Sequence, residues 1–177
     1  MKKRIALLVG LFLLFATPTF AQNRGLGYPP RAIKKAGNLG IGVGAGTLAT
    51  GLSLKYFLSD FTSVQANVGF SRGCFGCGRF GGRYYSESVA ASVDFLLERG
   101  PIVGDNKLSL DWEIGAGAGV GLSDRNVAIA AAGVIGLQLN IHALPIDVVL
   151  EFRPGVVLVP EFYLNLVDFT GHVRYYF

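Results

Sequence analysis

The stretch Leu108–Leu122 reads LSLDWEIGAGAGVGL, and its residue types alternate at every step. Leu108, Leu110, Trp112, Ile114, Ala116, Ala118, Val120 and Leu122 fall on one side. Ser109, Asp111, Glu113, Gly115, Gly117, Gly119 and Gly121 fall on the other. A period of two marks a β-strand with one apolar face. Glycine inside a strand costs roughly 0.5–1 kcal/mol relative to alanine, yet residues 39–46, LGIGVGAG, use it at alternate positions again. A face built from glycine and acids must have some compensating use.

The same parity extends outward from this stretch. Val64, Ala66, Val68 and Phe70 alternate with Ser63, Gln65, Asn67 and Gly69, and Ile146, Val148, Leu150 and Phe152 alternate with Asp147, Val149, Glu151 and Arg153. Eight strands are predicted, at about 38–46, 51–58, 61–71, 84–98, 107–122, 126–142, 146–159 and 162–177. Turn residues separate them: Ser59-Asp60, Gly100-Pro101, Gly104-Asp105-Asn106, Ser123-Asp124 and Ala143-Leu144-Pro145. Most are long enough to cross a bilayer as tilted strands, which takes roughly 9–11 residues.

The glycine face decides which side is wet. A soluble barrel points its apolar face inward and covers its exterior with charge. Here the opposite face is small, with single charges, which suits the cramped lumen of an eight-stranded barrel. Glycines let longer side chains from facing strands cross the axis. The fold class expected is therefore all-β, an eight-stranded antiparallel up-and-down barrel that crosses a membrane, closed because lipid leaves no backbone group unpaired. Residues 126–146 contain no Asp, Glu, Lys or Arg and can also be read as an apolar helix. The strand reading is preferred because it keeps Gln138, Asn140 and His142 on one face.

The N-terminus supplies the compartment. Lys2, Lys3 and Arg4 precede the apolar run 5–16, and Thr17-Pro18-Thr19-Phe20-Ala21 adds a breaker and small residues. Residues 1–21 read as a cleaved secretory signal. Three of the sixteen basic residues leave with it, so thirteen face twelve acids in the mature chain. That near balance excludes a strongly basic nucleic-acid binder. Residues 22–37, with Arg24, Arg31, Lys34 and Lys35, read as a flexible basic tail, and 38–177 as the barrel.

The C-terminal run GHVRYYF places Val173, Tyr175 and Phe177 at alternate positions with a final aromatic. It is similar to the terminal strand of bacterial outer-membrane barrels. The chain from about residue 38 resembles the small eight-stranded barrels of the OmpA/OmpX/OmpW-like group, and LPIDVVLEFRPGVVLVP resembles the penultimate strand of its uncharacterised members. The resemblance implies residence in the bacterial outer membrane, among lipid and lipopolysaccharide. It also implies that Val173, Tyr175 and Phe177 form the signal read by the barrel-insertion machinery. Aromatics near strand ends are placed to form two interfacial girdles: Phe70, Tyr85 and Phe162 above; Phe61, Phe95, Trp112, Tyr175 and Phe177 below.

Parity assigns Lys55, Asp94, Asp111, Glu113, Asp147, Glu151, Arg153, Asp168, His172 and Arg174 to the lumen. Buried charges are costly unless paired, so Arg174 is expected to meet Asp147, and Arg153 to meet Glu151 or Asp168. Six carboxylates face three permanent cations. The excess can be balanced by ions in a narrow pore, or by the basic tail folding beneath Asp94, Asp111 and Glu113. Cys74 and Cys77, in RGCFGCGRFGGR, are expected to form a loop-stapling disulfide, since an envelope protein sees oxidising conditions. A metal site would need further ligands that these loops lack.

Catalysis and cofactor binding find little support. A lipid-modifying barrel needs a His beside a nucleophile at the outer rim, and neither His142 nor His172 is placed there. Gly40, Gly42 and Ala45 match a loose dinucleotide fingerprint, but a strand follows where a helix is required. No enzyme, cofactor or metal is expected. A structural or surface-interaction role, open to an extracellular ligand, is preferred over a narrow channel, with lipid modification third.

Overall fold

The computed structural model describes residues 34–35, 37–46, 50–71, 88–105, 107–122, 127–160 and 162–177. Its strands are β1 (Leu39–Gly46), β2 (Thr50–Ser59), β3 (Thr62–Ser71), β4 (Ser88–Gly104), β5 (Leu108–Leu122), β6 (Val127–Ile141), β7 (Ile146–Phe152), β8 (Gly155–Val159), β9 (Tyr163–Asn165) and β10 (Phe169–Tyr176). Each pairs antiparallel with its neighbours, β1 meets β10, and β5 meets β6 to close the ring. Since β7 and β8 form one stave and β9 and β10 another, the molecule is a closed up-and-down barrel of eight staves. Among the described residues there is no helix. The apolar segment at 126–146 is a strand throughout Val127–Ile141.

Three local departures from the expected strands have physical causes. β4 does not stop at Glu98 but continues to Gly104, with its register slipping between Arg99 and Val103. The expected turn at Gly100-Pro101 is a bulged part of this strand. The seventh stave is interrupted after Phe152 because Pro154 has no N–H to donate. Its register nevertheless continues, from Ile135 opposite Phe152 to Ala132 opposite Gly155, and the Pro154 carbonyl accepts from the Gly133 amide at 2.9 Å.

The third departure lies in the eighth stave. Phe152 faces Phe169 and Gly155 faces Asn165, so three steps on one stave oppose four on the other. The extra residue is absorbed at Leu166 and Val167, which both point outward, and Asp168 then turns inward.

The termini and the β2–β3, β4–β5 and β6–β7 turns share one end. The β4–β5 turn is held by Asp105, whose carboxylate accepts from the Lys107 and Leu108 amides at 2.7 and 2.9 Å. The loop carrying Cys74 and Cys77, together with Tyr85 and residues 1–33, lies outside the described residues.

The distribution of polarity is inverted relative to a water-soluble domain. Among the described residues, nineteen polar or charged side chains are buried against seven hydrophobic ones. Large apolar side chains point outward on every stave, including Val93, Phe95, Ile135, Leu150, Leu164 and Val173. Among the described residues, charged side chains that are not buried are Lys35, Asp60, Arg99, Asp105 and Lys107, all near the end that holds the termini. Among the described residues, the outer wall beyond them is uncharged.

Candidate functional site: the ionic lumen

Strand parity and closure bring the inward side chains into one cluster. All ten residues expected in the lumen lie there, each at most 3% exposed. They form three linked groups.

At the end with the termini, carboxylates and ammonium groups alternate. Lys34 Nζ lies 3.1 Å from Asp111 and 2.8 Å from Glu98. Lys55 Nζ lies 2.7 Å from Glu98 and 2.5 Å from Glu113. Ser63 donates to Glu98 at 2.6 Å, and Asn140 to Asp111 at 3.0 Å.

The second group centres on Asp147. Arg174 grips its carboxylate through Nε at 3.1 Å and Nη2 at 3.0 Å, a two-point geometry that only guanidinium supplies. Tyr176 donates its hydroxyl to Asp147 at 2.6 Å and Gln138 its amide at 3.0 Å.

The third group is Arg153 with Asp94 (2.6 Å) and Glu151 (2.9 Å). His172 Nε2 lies 3.4 Å from the same Glu151. Of the two acids expected to pair with Arg153, Glu151 makes the ion pair; the Arg153 backbone amide in addition donates to the Asp168 carbonyl at 2.9 Å. Gln65 joins the second and third groups. It accepts from Arg174 and donates to Glu151 at 2.8 Å.

Glycines make room for this cluster, as the alternation suggested. A Cβ on Gly117 would collide with the Asp94 carboxylate, one on Gly136 would come within 2.7 Å of Glu113, and one on Gly44 within 2.5 Å of His172 Nδ1. Beyond Arg153, toward the end away from the termini, the lumen is lined by small residues. Two cavities of about 30 and 40 Å³ flank this arginine. The first reaches Asn67, Ser92, Thr170 and His172, and the second reaches Gly117, Gly119, Ala130 and Ala132. Each has space for a water or two.

Several members of the cluster were not among the expected residues. Glu98 ends the predicted fourth strand, and its even parity with Asp94 turns it inward. Gln65 and Tyr176 share the inward face by parity but carry no charge to mark them as members of an ionic cluster. Lys34 falls in the segment 22–37 that reads as a flexible tail. That assignment needs correcting at its last residues: Lys34 is buried, and the Gly37 amide donates to the Phe57 carbonyl at 2.8 Å. With these additions, the carboxylates Asp94, Glu98, Asp111, Glu113, Asp147, Glu151 and Asp168 face the cations Lys34, Lys55, Arg153 and Arg174. Val173, Tyr175 and Phe177 are all exposed on the outer wall. No protein-family model, curated protein or solved structure matches the chain.

Proposed function

We propose that the protein is an integral outer-membrane barrel with a structural or surface-interaction role, held rigid by ion pairs that fill its lumen. The observation that carries this reading is the uncharged apolar outer wall around a buried ionic interior. Burying an ion costs several kcal/mol even after relaxation, which a soluble barrel avoids by placing charge outside. In lipid the preference reverses, since Arg or Lys on the lipid face costs about 2–4 kcal/mol at the midplane. Outer-membrane lipid and lipopolysaccharide are then the partners of the wall, and the terminal strand presents Val173, Tyr175 and Phe177 to the insertion machinery. The far-end loops are where an extracellular ligand would be met, and no nucleic-acid contact is proposed.

The test is expression of the full precursor in a Gram-negative host, separation of membranes by density, and electrophoresis with and without boiling. Recovery in the outer-membrane fraction with a boiling-dependent mobility supports the reading. Soluble recovery, or a single mobility, would overturn it.

A narrow channel is the second reading, favoured by the acid excess and the small-residue cavities beside Arg153. Lipid modification ranks third: His172 is buried in the lumen with its Nε2 facing the Glu151 carboxylate at 3.4 Å, and no hydroxyl is bonded to its ring among the described residues. Lipid A mass spectra with and without the protein test that option.

A further inference from the structure

The lead-in to β1 does more than connect. The Asn38 amide donates to the Lys35 carbonyl at 3.0 Å, closing a turn whose third residue, Gly37, has φ +92°. This is the position where a type II turn requires a left-handed residue. The reversal is secured on β2 by the Gly37-to-Phe57 bond at 2.8 Å and by Phe57 donating back to Asn38 at 3.1 Å. It sends Lys34 into the lumen mouth, where its side chain is fully buried between Glu98 and Asp111. Lys35, one residue on, is exposed.

Two features argue that the mouth is built for this occupant. Glu98 already meets Lys55, and Asp111 already accepts from Asn140, so both carboxylates are held in place. Without Lys34, the seven lumen carboxylates would face three permanent cations. We propose that Glu98 and Asp111 form a binding site for a primary ammonium group at the terminus-side mouth, and that Lys34 occupies it in cis, making the lead-in a tethered ligand of that site. The proposal concerns the lumen alone and does not depend on what surrounds the barrel.

The test is pulse methylation of lysines. Folded mature protein in detergent is reductively methylated with ordinary formaldehyde, boiled, and methylated again with deuterated formaldehyde. Chymotryptic peptides then give the light-to-heavy ratio at each lysine. Lys34 should react at least tenfold more slowly than Lys35, its built-in control. In Gly37→Val, where a Cβ meets nothing within 4 Å and only the turn is strained, Lys34 should approach the rate of Lys35. The same release is expected in the double variant Glu98→Gln/Asp111→Asn. Equal reactivity of Lys34 and Lys35 in the wild-type protein would overturn the proposal. So would full protection of Lys34 in either variant once a boiling-dependent mobility shows that it is folded. If neither variant folds, the wild-type ratio alone decides.

Discussion

At the scale of single residues, the interior is governed by two opposite demands: space for long polar side chains, and a partner for each charge. Gly117 meets the first demand. A Cβ there would strike the Asp94 carboxylate and come within 2.5 Å of the Val93 carbonyl, which is backbone and cannot rotate away. Gly117→Leu should therefore abolish the folded, boiling-sensitive band on a gel. Ala116→Leu, one step along on the exposed face, should retain it. Arg174 meets the second demand. Removing one partner of a buried pair leaves the other charge uncompensated, at a cost of about 3–5 kcal/mol. Arg174→Leu should lower the unfolding free energy by that amount, read from urea titration of Trp112 fluorescence. A loss well under 1 kcal/mol would mean that Asp147 is satisfied by Tyr176 and Gln138 alone.

At the scale of strands and turns, the Asp105 turn gives a pH-dependent expectation. The carboxylate accepts from the Leu108 and Lys107 amides, and these bonds hold its pKa below the usual aspartate value of about 3.9. A lowered pKa means that the turn's stabilisation is complete above the unfolded value and is lost as pH falls through the folded one. The Lys107 and Leu108 amide resonances should shift together in that acidic range. In Asp105→Asn they should stay put. Most strand positions and the inward face of Leu108–Leu122 were legible from strict alternation, because a strand's two faces are set by chemistry one residue at a time. The ends and irregularities were less so. Gly100-Pro101 has turn composition but sits in a bulge of β4, and the register across that bulge is fixed by β5, far along the chain. Leu166 and Val167 are both apolar, so nothing local marks where the eighth stave gains its extra residue. Lys34 was hidden for the same reason, since its burial depends on Glu98 and Asp111 arriving from other staves.

For the whole molecule, the filled lumen bears on conduction. Lys55, Glu113, Asp147 and Glu151 are fully buried, and withdrawing Lys34 would leave the Lys55–Glu113, Arg174–Asp147 and Arg153–Glu151 pairs in place. In planar bilayers the mature protein should show conductance near the baseline. Deletion of residues 22–37 should change it little, contrary to the rise that a simple tail plug suggests. Sustained, cation-selective openings in the wild-type protein would favour the channel reading instead.

The pairing of β1 with β10 has a consequence for chain topology. Gly40 faces Tyr176, and the Phe177 amide donates to the Leu39 carbonyl at 3.0 Å, so the ends of the barrel segment are hydrogen-bonded neighbours. The ring of hydrogen bonds has no natural starting point. A circularly permuted chain, joined across this seam by a short linker and opened at the Asp60-Phe61 turn, would retain every stave-to-stave ladder.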